Sequence, residues 1–123
     1  MNDITLGEIE SRFADIIWEK APITTAELVR LCAEAFGWKR TTTYTVLKRL
    51  CGKGLFRMEN SEISVIIPRD KFYSGQSRRI VDESFGGSLP AFIAAFAAGK
   101  PLSEKEISEI REMIDRFGKE NKV

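Results

Sequence analysis

The sequence predicts a mainly α-helical chain with one small β-hairpin, divided into a first domain over residues 1–68 and a helical second domain over residues 69–123. Three observations lead there. Apolar residues recur at helical spacing in three successive segments before residue 53. Two short β-prone runs follow and close at Pro68. Everything beyond Pro68 reads as helix, and one stretch of it is apolar on nearly every side. With 123 residues, 43% of them hydrophobic, the chain can bury a core of its own.

Leu6, Ile9, Phe13, Ile16 and Ile17 make the apolar stripe of a first helix that ends near Lys20, where Ala21-Pro22 breaks it. Thr24 and Glu27 then have capping-box spacing: the hydroxyl accepts the Glu27 amide and the carboxylate returns to the Thr24 amide. Leu28, Leu31, Cys32 and Ala35 form the buried side of that second helix, which stops at Phe36-Gly37.

A third helix is expected from about Arg40 to Lys53. On a helical wheel Thr43, Val46, Leu47 and Leu50 share one face. Thr41, Thr45, Lys48, Arg49 and Gly52 share the opposite one, with Thr42 at its edge. Three consecutive β-branched threonines disfavour a helix slightly, so a second demand must favour them. Gly52 and Gly54 supply termination. "LFRM" and "ISVIIP", separated by "ENSE", predict a hairpin with a four-residue polar loop. Three helices followed by a hairpin is the order of a winged helix-turn-helix.

In the second domain "RDKFYSGQSRRIVDESF" carries Phe72, Tyr73, Ile80, Val81 and Phe85 and stops at Gly86-Gly87. "SLPAFIAAFAAG" follows, apolar almost all round. After "GKP", Ser103 and Glu106 repeat the capping-box spacing, and Ile107, Ile110, Ile114 and Phe117 recur at three-four spacing. An apolar helix and an Ile/Phe seam behind a complete small domain have two uses. They can fold into a monomeric cap, or they can pair with a second copy. The amount of apolar surface favours a homodimer through Phe85, Leu89, Phe92, Ile93, Phe96, Ile107, Ile110, Ile114 and Phe117.

Composition excludes several function classes. There is no histidine, which removes the commonest metal ligand and general base. Cys32 and Cys51 sit in helical apolar patterns and read as small buried hydrophobes. "CGKGL" joins a helix to a strand and lacks the spacing of a phosphate loop. No enzyme, metal or cofactor is expected. The opening "MNDITLGEIE" is acidic and polar, unlike a signal peptide. The apolar stretch 86–99 spans 14 residues, short of the roughly 20 that cross a bilayer. A cytoplasmic protein without membrane insertion is the expectation.

The net charge of +1 hides a local asymmetry. Residues 1–34 carry three basic and seven acidic side chains, whereas residues 35–58 carry Lys39, Arg40, Lys48, Arg49, Lys53 and Arg57 and no acid. A basic, acid-free helix lined with hydroxyls suits a DNA major groove. Arg and Lys pair with guanine or phosphate, and Thr offers a hydroxyl and a methyl to base edges. Arg57 and a polar wing tip would add phosphate contacts. The alternative is a winged-helix module that binds proteins without specific DNA recognition; such a module has no need to shed acids over residues 35–58.

With these segments placed, the chain resembles the penicillinase-repressor family, which includes β-lactamase, methicillin-resistance and copper-responsive repressors. The resemblance rests on "IIWEK", "TTAEL", the segment "WKRTTTYTVLKRLCGKGLF", and "SFGGSLPAFIAAF" with "LSEKEISEIREMIDRF". It implies a winged-helix domain, a helical dimerisation domain, and a homodimer that blocks transcription from a palindromic operator. It places base reading on Thr41, Thr42, Tyr44 and Thr45, with Lys48 and Arg49 nearer the DNA backbone. Phosphate contacts fall to Lys39, Arg40 and the wing around Asn60 and Ser61. The antibiotic-responsive members are inactivated by a membrane-bound sensor protease that cuts an Asn-Phe bond; the equivalent pair here is Ala95-Phe96. The cysteine-rich tail of the copper-responsive members has no counterpart after Cys51.

Overall fold

The computed structural model describes residues 6–120. In chain order it contains α1 (Glu8–Lys20), β1 (Ile23–Thr24), α2 (Thr25–Phe36), α3 (Arg40–Gly52), β2 (Phe56–Glu59), β3 (Glu62–Val65), α4 (Arg69–Ser84), α5 (Leu89–Gly99) and α6 (Glu104–Glu120). This is a winged helix followed by a helical region, the predicted fold class. The chain divides into two compact units, the first running through Arg79 and the second beginning at Ile80, inside α4.

The first unit is organised by apolar residues at the spacings its sequence shows. Phe13, Ala14 and Ile17 of α1, Leu28 and Cys32 of α2, and Val46, Leu47 and Leu50 of α3 are buried together with Ile23, Leu55, Phe56, Ile63 and Phe72. α2 begins at Thr24, whose hydroxyl accepts the Glu27 N–H at 3.1 Å. The return half of the expected capping box is not made, because the Glu27 carboxylate turns to Arg30, 2.6 and 2.9 Å from its guanidinium. α2 ends on Gly37, whose φ of 68° lies in the left-handed region that a side chain would strain.

The wing differs from the predicted hairpin in two respects. Its loop has two residues, Asn60 and Ser61, with φ of 53° and 63°. Positive φ at both central positions is the requirement of a type I′ turn, whose twist matches the strands, so Glu59 and Glu62 pair across the ladder instead of joining the loop. A third strand also joins the sheet, in the order β1-β3-β2, with Ile23 opposite Ile63 and Thr24 opposite Glu62. Two residues are too short to show a period in a sequence, and this strand escaped prediction for that reason. The Thr25 N–H further donates to the Ser61 carbonyl at 3.0 Å.

Trp18 fastens α1 to the start of α4. Its indole N–H donates to the Ile67 carbonyl at 3.0 Å. Its ring lies 5.6 Å from Phe56, 5.7 Å from Phe72 and 5.8 Å from Tyr73. The Asp15–Arg69 ion pair at 2.9 Å ties the same two helices at the surface.

In the second unit Ser88 caps α5 by accepting the Ala91 N–H at 3.1 Å. Ser103 and Glu106 complete a full capping box at α6: the Glu106 amide donates to Ser103 at 3.1 Å and the Ser103 amide to Glu106 at 3.0 Å. Phe92 lies 5.5 Å from Phe85 and 6.2 Å from Phe96. Neither α5 nor α6 has a buried residue. Among the described residues no single helix is long and apolar enough to cross a membrane.

Candidate nucleic-acid interface

α3 separates its faces as its sequence dictates. Thr43, Val46, Leu47 and Leu50 are buried, while Thr41, Thr42, Thr45, Lys48 and Arg49 are exposed and Tyr44 is half-buried at the edge. The threonines do three different things. Thr43 is a core residue whose buried hydroxyl has no hydrogen-bond partner among the described residues beyond a weak interaction with the Cys32 thiol. Thr45 donates its hydroxyl proton to the Thr41 carbonyl at 2.9 Å, the i−4 bond that a helical threonine favours. That leaves Thr45 presenting a methyl group and acceptor lone pairs outward. Thr41 and Thr42 stand at the first turn.

The N-terminal end of α3 carries cations where a helix prefers anions. Lys39 is the N-cap and makes no side-chain capping bond, Arg40 follows, and the first turn contains no acid. The partial positive charge of the helix end adds to both. The Arg40 guanidinium lies 5.2 Å from the centre of the Tyr44 ring and donates weakly to the Tyr44 hydroxyl at 3.4 Å. Among the described residues Lys39, Arg40, Lys48 and Arg57 form no ion pair.

The C-terminal end of α3 is different. Arg49 donates to the Glu10 carboxylate at 2.9 Å, and Lys53 stands 3.8 Å from its other oxygen. Glu10 belongs to α1 and also accepts the Gly7 N–H at 3.3 Å. The Arg49 hydrogen bond holds its carboxyl below the ordinary value of 4.5; burial opposes this, and the Gly7 N–H and the Lys53 charge reinforce it. Counting charge along the sequence makes residues 35–58 acid-free, but folding brings an acid to them from outside that window.

The wing likewise brings acids close to its cation. Asn60 and Ser61 form the exposed turn, with Glu59 and Glu62 directly opposite one another at its base. Arg57 pairs with Ser64 on the strand face that carries both glutamates. Like charges facing across a ladder repel, and they repel phosphate too. The wing therefore places its one cation behind a pair of facing anions at the turn.

The dimer candidates all lie in the second unit, among exposed or half-buried positions. Phe85, Phe92, Ile93 and Ile110 are half-buried, whereas Leu89, Phe96, Ile107, Ile114 and Phe117 are exposed, Phe96 by 60% and Ile114 by 58%. Ala95 and Phe96 are both within α5. Burial pushes the Cys32 thiol up to about 11, against an opposing effect of the Thr43 hydroxyl, and raises Cys51 as well. Neither is a thiolate at neutral pH. No group of three or more potential metal ligands occurs among the described residues.

A family model described as penicillinase repressor matches residues 6–116. A penicillinase repressor of Staphylococcus aureus is 25% identical over 109 residues, which cover 85% of this chain and 86% of that protein.

Proposed function

The chain belongs to the penicillinase repressor family, whose members are transcriptional regulators and not enzymes, and from that premise we propose that it represses transcription as a homodimer on a palindromic DNA operator. The observation that carries the DNA reading is the exposed face of α3, with Thr41, Thr42, Thr45 and Lys48 outward and no carboxylate paired to Lys39, Arg40 or Lys48 among the described residues. Set in a major groove, that face puts threonine methyls and lone pairs on base edges and Lys48 beside the backbone. The uncapped, doubly basic start of α3 suits a phosphate, which would offset its electrostatic cost. Tyr44, with Arg40 laid over its ring, borders the same face. Arg57, Asn60 and Ser61 contribute less than the α3 cations, given Glu59 and Glu62 beside them.

What supports a homodimer is the uncovered apolar surface of α5 and α6 in a single chain. A twofold partner would bury it and set two α3 helices at half-sites one DNA turn apart. The division of labour is then DNA binding before Pro68 and assembly after it. Such a protein works in the cytoplasm. Release by a membrane-bound sensor protease would require a cut at Ala95-Phe96, within the turns of α5.

Two measurements test this reading. A mobility shift on DNA upstream of the protein's own gene, compared with a scrambled duplex across a salt series, should show sequence-specific retention. Binding that is weak and indifferent to sequence refutes it. Ile114→Glu should convert a dimer to a monomer in light scattering; a wild-type chain that is monomeric at every concentration removes the palindrome.

A further inference from the structure

We propose that Glu10 is a positioning residue that restrains Arg49 and Lys53 and so lowers the protein's sequence-independent affinity for DNA. The inference rests on the DNA-binding reading of α3. Arg49 and Lys53 are four residues apart at the end of α3 and both reach one carboxylate, at 2.9 and 3.8 Å. That carboxylate is only 17% exposed, whereas Arg49 is half exposed. The Gly7 N–H, also on Glu10, anchors the acid at its own helix start.

The acid is thus the fixed partner and the cations are the ones being held. For Arg49 to take a phosphate it must leave Glu10, and the abandoned carboxylate would then face the DNA backbone. The two ends of α3 consequently differ. The N-terminal half carries threonines and cations without acidic partners among the described residues, and the C-terminal end carries cations already neutralised in part. Non-specific affinity comes almost wholly from cation–phosphate contacts, while base discrimination comes from groove contacts. An acid at the end of α3 therefore subtracts from the first and leaves the second.

Glu10→Gln tests this, because the amide oxygen can still accept the Gly7 N–H while the charge is gone. Fluorescence anisotropy would be read on a scrambled duplex and on upstream DNA. Every additional cation–phosphate pair strengthens binding about eightfold at 0.1 M salt and steepens the salt slope by about 0.9. Glu10→Gln should therefore bind the scrambled duplex about eightfold more tightly, and upstream DNA by about the same factor, so that overall affinity rises while the ratio between them holds. Arg49→Ala should change wild-type affinity less than about twofold yet erase most of the increase in the Glu10→Gln background.

Unchanged affinity and slope for the scrambled duplex on Glu10→Gln overturn the proposal. So does an Arg49→Ala loss as large in the wild type as in the Glu10→Gln protein. If Glu10→Gln folds poorly, the wild-type arm decides alone: an eightfold loss on Arg49→Ala means that the cation was never restrained. If upstream DNA binds no better than scrambled DNA, specific repression fails while the scrambled-duplex arm still decides the role of Glu10.

Discussion

Trp18→Phe should destabilise the protein by about 2–3 kcal/mol. The indole N–H to the Ile67 carbonyl, 3.0 Å long and part-buried, is lost, which costs about 1 kcal/mol. Trp18 also contacts three rings, Phe56, Phe72 and Tyr73, at 5.6 to 5.8 Å. Each such pair is worth about 0.5–1.5 kcal/mol beyond simple burial, and a smaller phenyl ring keeps only part of it. Trp18→Ala removes the whole group and should cost about 3–5 kcal/mol. Urea unfolding measures both changes. The chain has two tryptophans, so in either variant Trp38 is the sole indole reporter, held against Phe13 at 5.7 Å and Phe36 at 4.7 Å. A Trp18→Phe loss below about 0.5 kcal/mol would refute the view that this indole joins α1, the wing and α4.

Thr43→Val replaces a buried, poorly partnered hydroxyl with a methyl of similar shape and should raise stability by about 1 kcal/mol in the same titration, leaving DNA affinity unchanged. Lys48→Ala should weaken binding to all duplexes alike and flatten the salt slope by about 0.9, whereas Thr45→Ala should narrow the gap between upstream and scrambled DNA; equal effects of both on both duplexes would mean α3 is turned the other way. Glu10 has its folded pKa depressed by Arg49, so its pairing stabilises above the ordinary value of 4.5 and is lost as pH falls through the folded value. Thermal melts of wild type and Glu10→Gln should accordingly differ by about 0.5–1 kcal/mol at pH 7 and converge well below pH 4.5. A gap that persists at low pH assigns the difference to something other than charge.

Much of the first unit was legible because its core follows short-range periodicity. The four inward residues of α3, and Phe13 and Ile17 of α1, are fixed by the helical repeat, and Thr43 could be separated from Thr41 and Thr45 by angle alone; Ile9, at the start of the expected α1 stripe, is 45% exposed. The Ser103 capping box was legible for the same reason, being local. What escaped was whatever depends on contacts between distant segments. Glu10 lies 39 residues before Arg49, so a window count of charge never brings them together. Glu27 has the spacing of a capping box, yet Arg30 one turn later outcompetes the Thr24 amide for its carboxylate. The wing glutamates read as loop because a type I′ turn needs only two residues, and neither Asn60 nor Ser61 is the glycine that usually marks one. The apolar residues of α5 and α6 stood out in the sequence, and their exposure in one chain is a fact only of the fold.

Thr24 ends a strand and caps a helix at once. Its backbone pairs with Glu62 of the wing while its hydroxyl holds the first turn of α2. The next residue, Thr25, donates to the Ser61 carbonyl at the wing turn. Sliding β1 by one residue would lift Ile23 from the core and uncap α2 in the same movement. The hairpin and the helix therefore have no separate opening reactions: amide protons of the wing and of the first turn of α2 should exchange with solvent as one cooperative group. A natural variant with a longer wing tip would keep its grip on α2 only by leaving the Thr24–Thr25 seam intact, which makes that seam the hinge on which wing length can evolve.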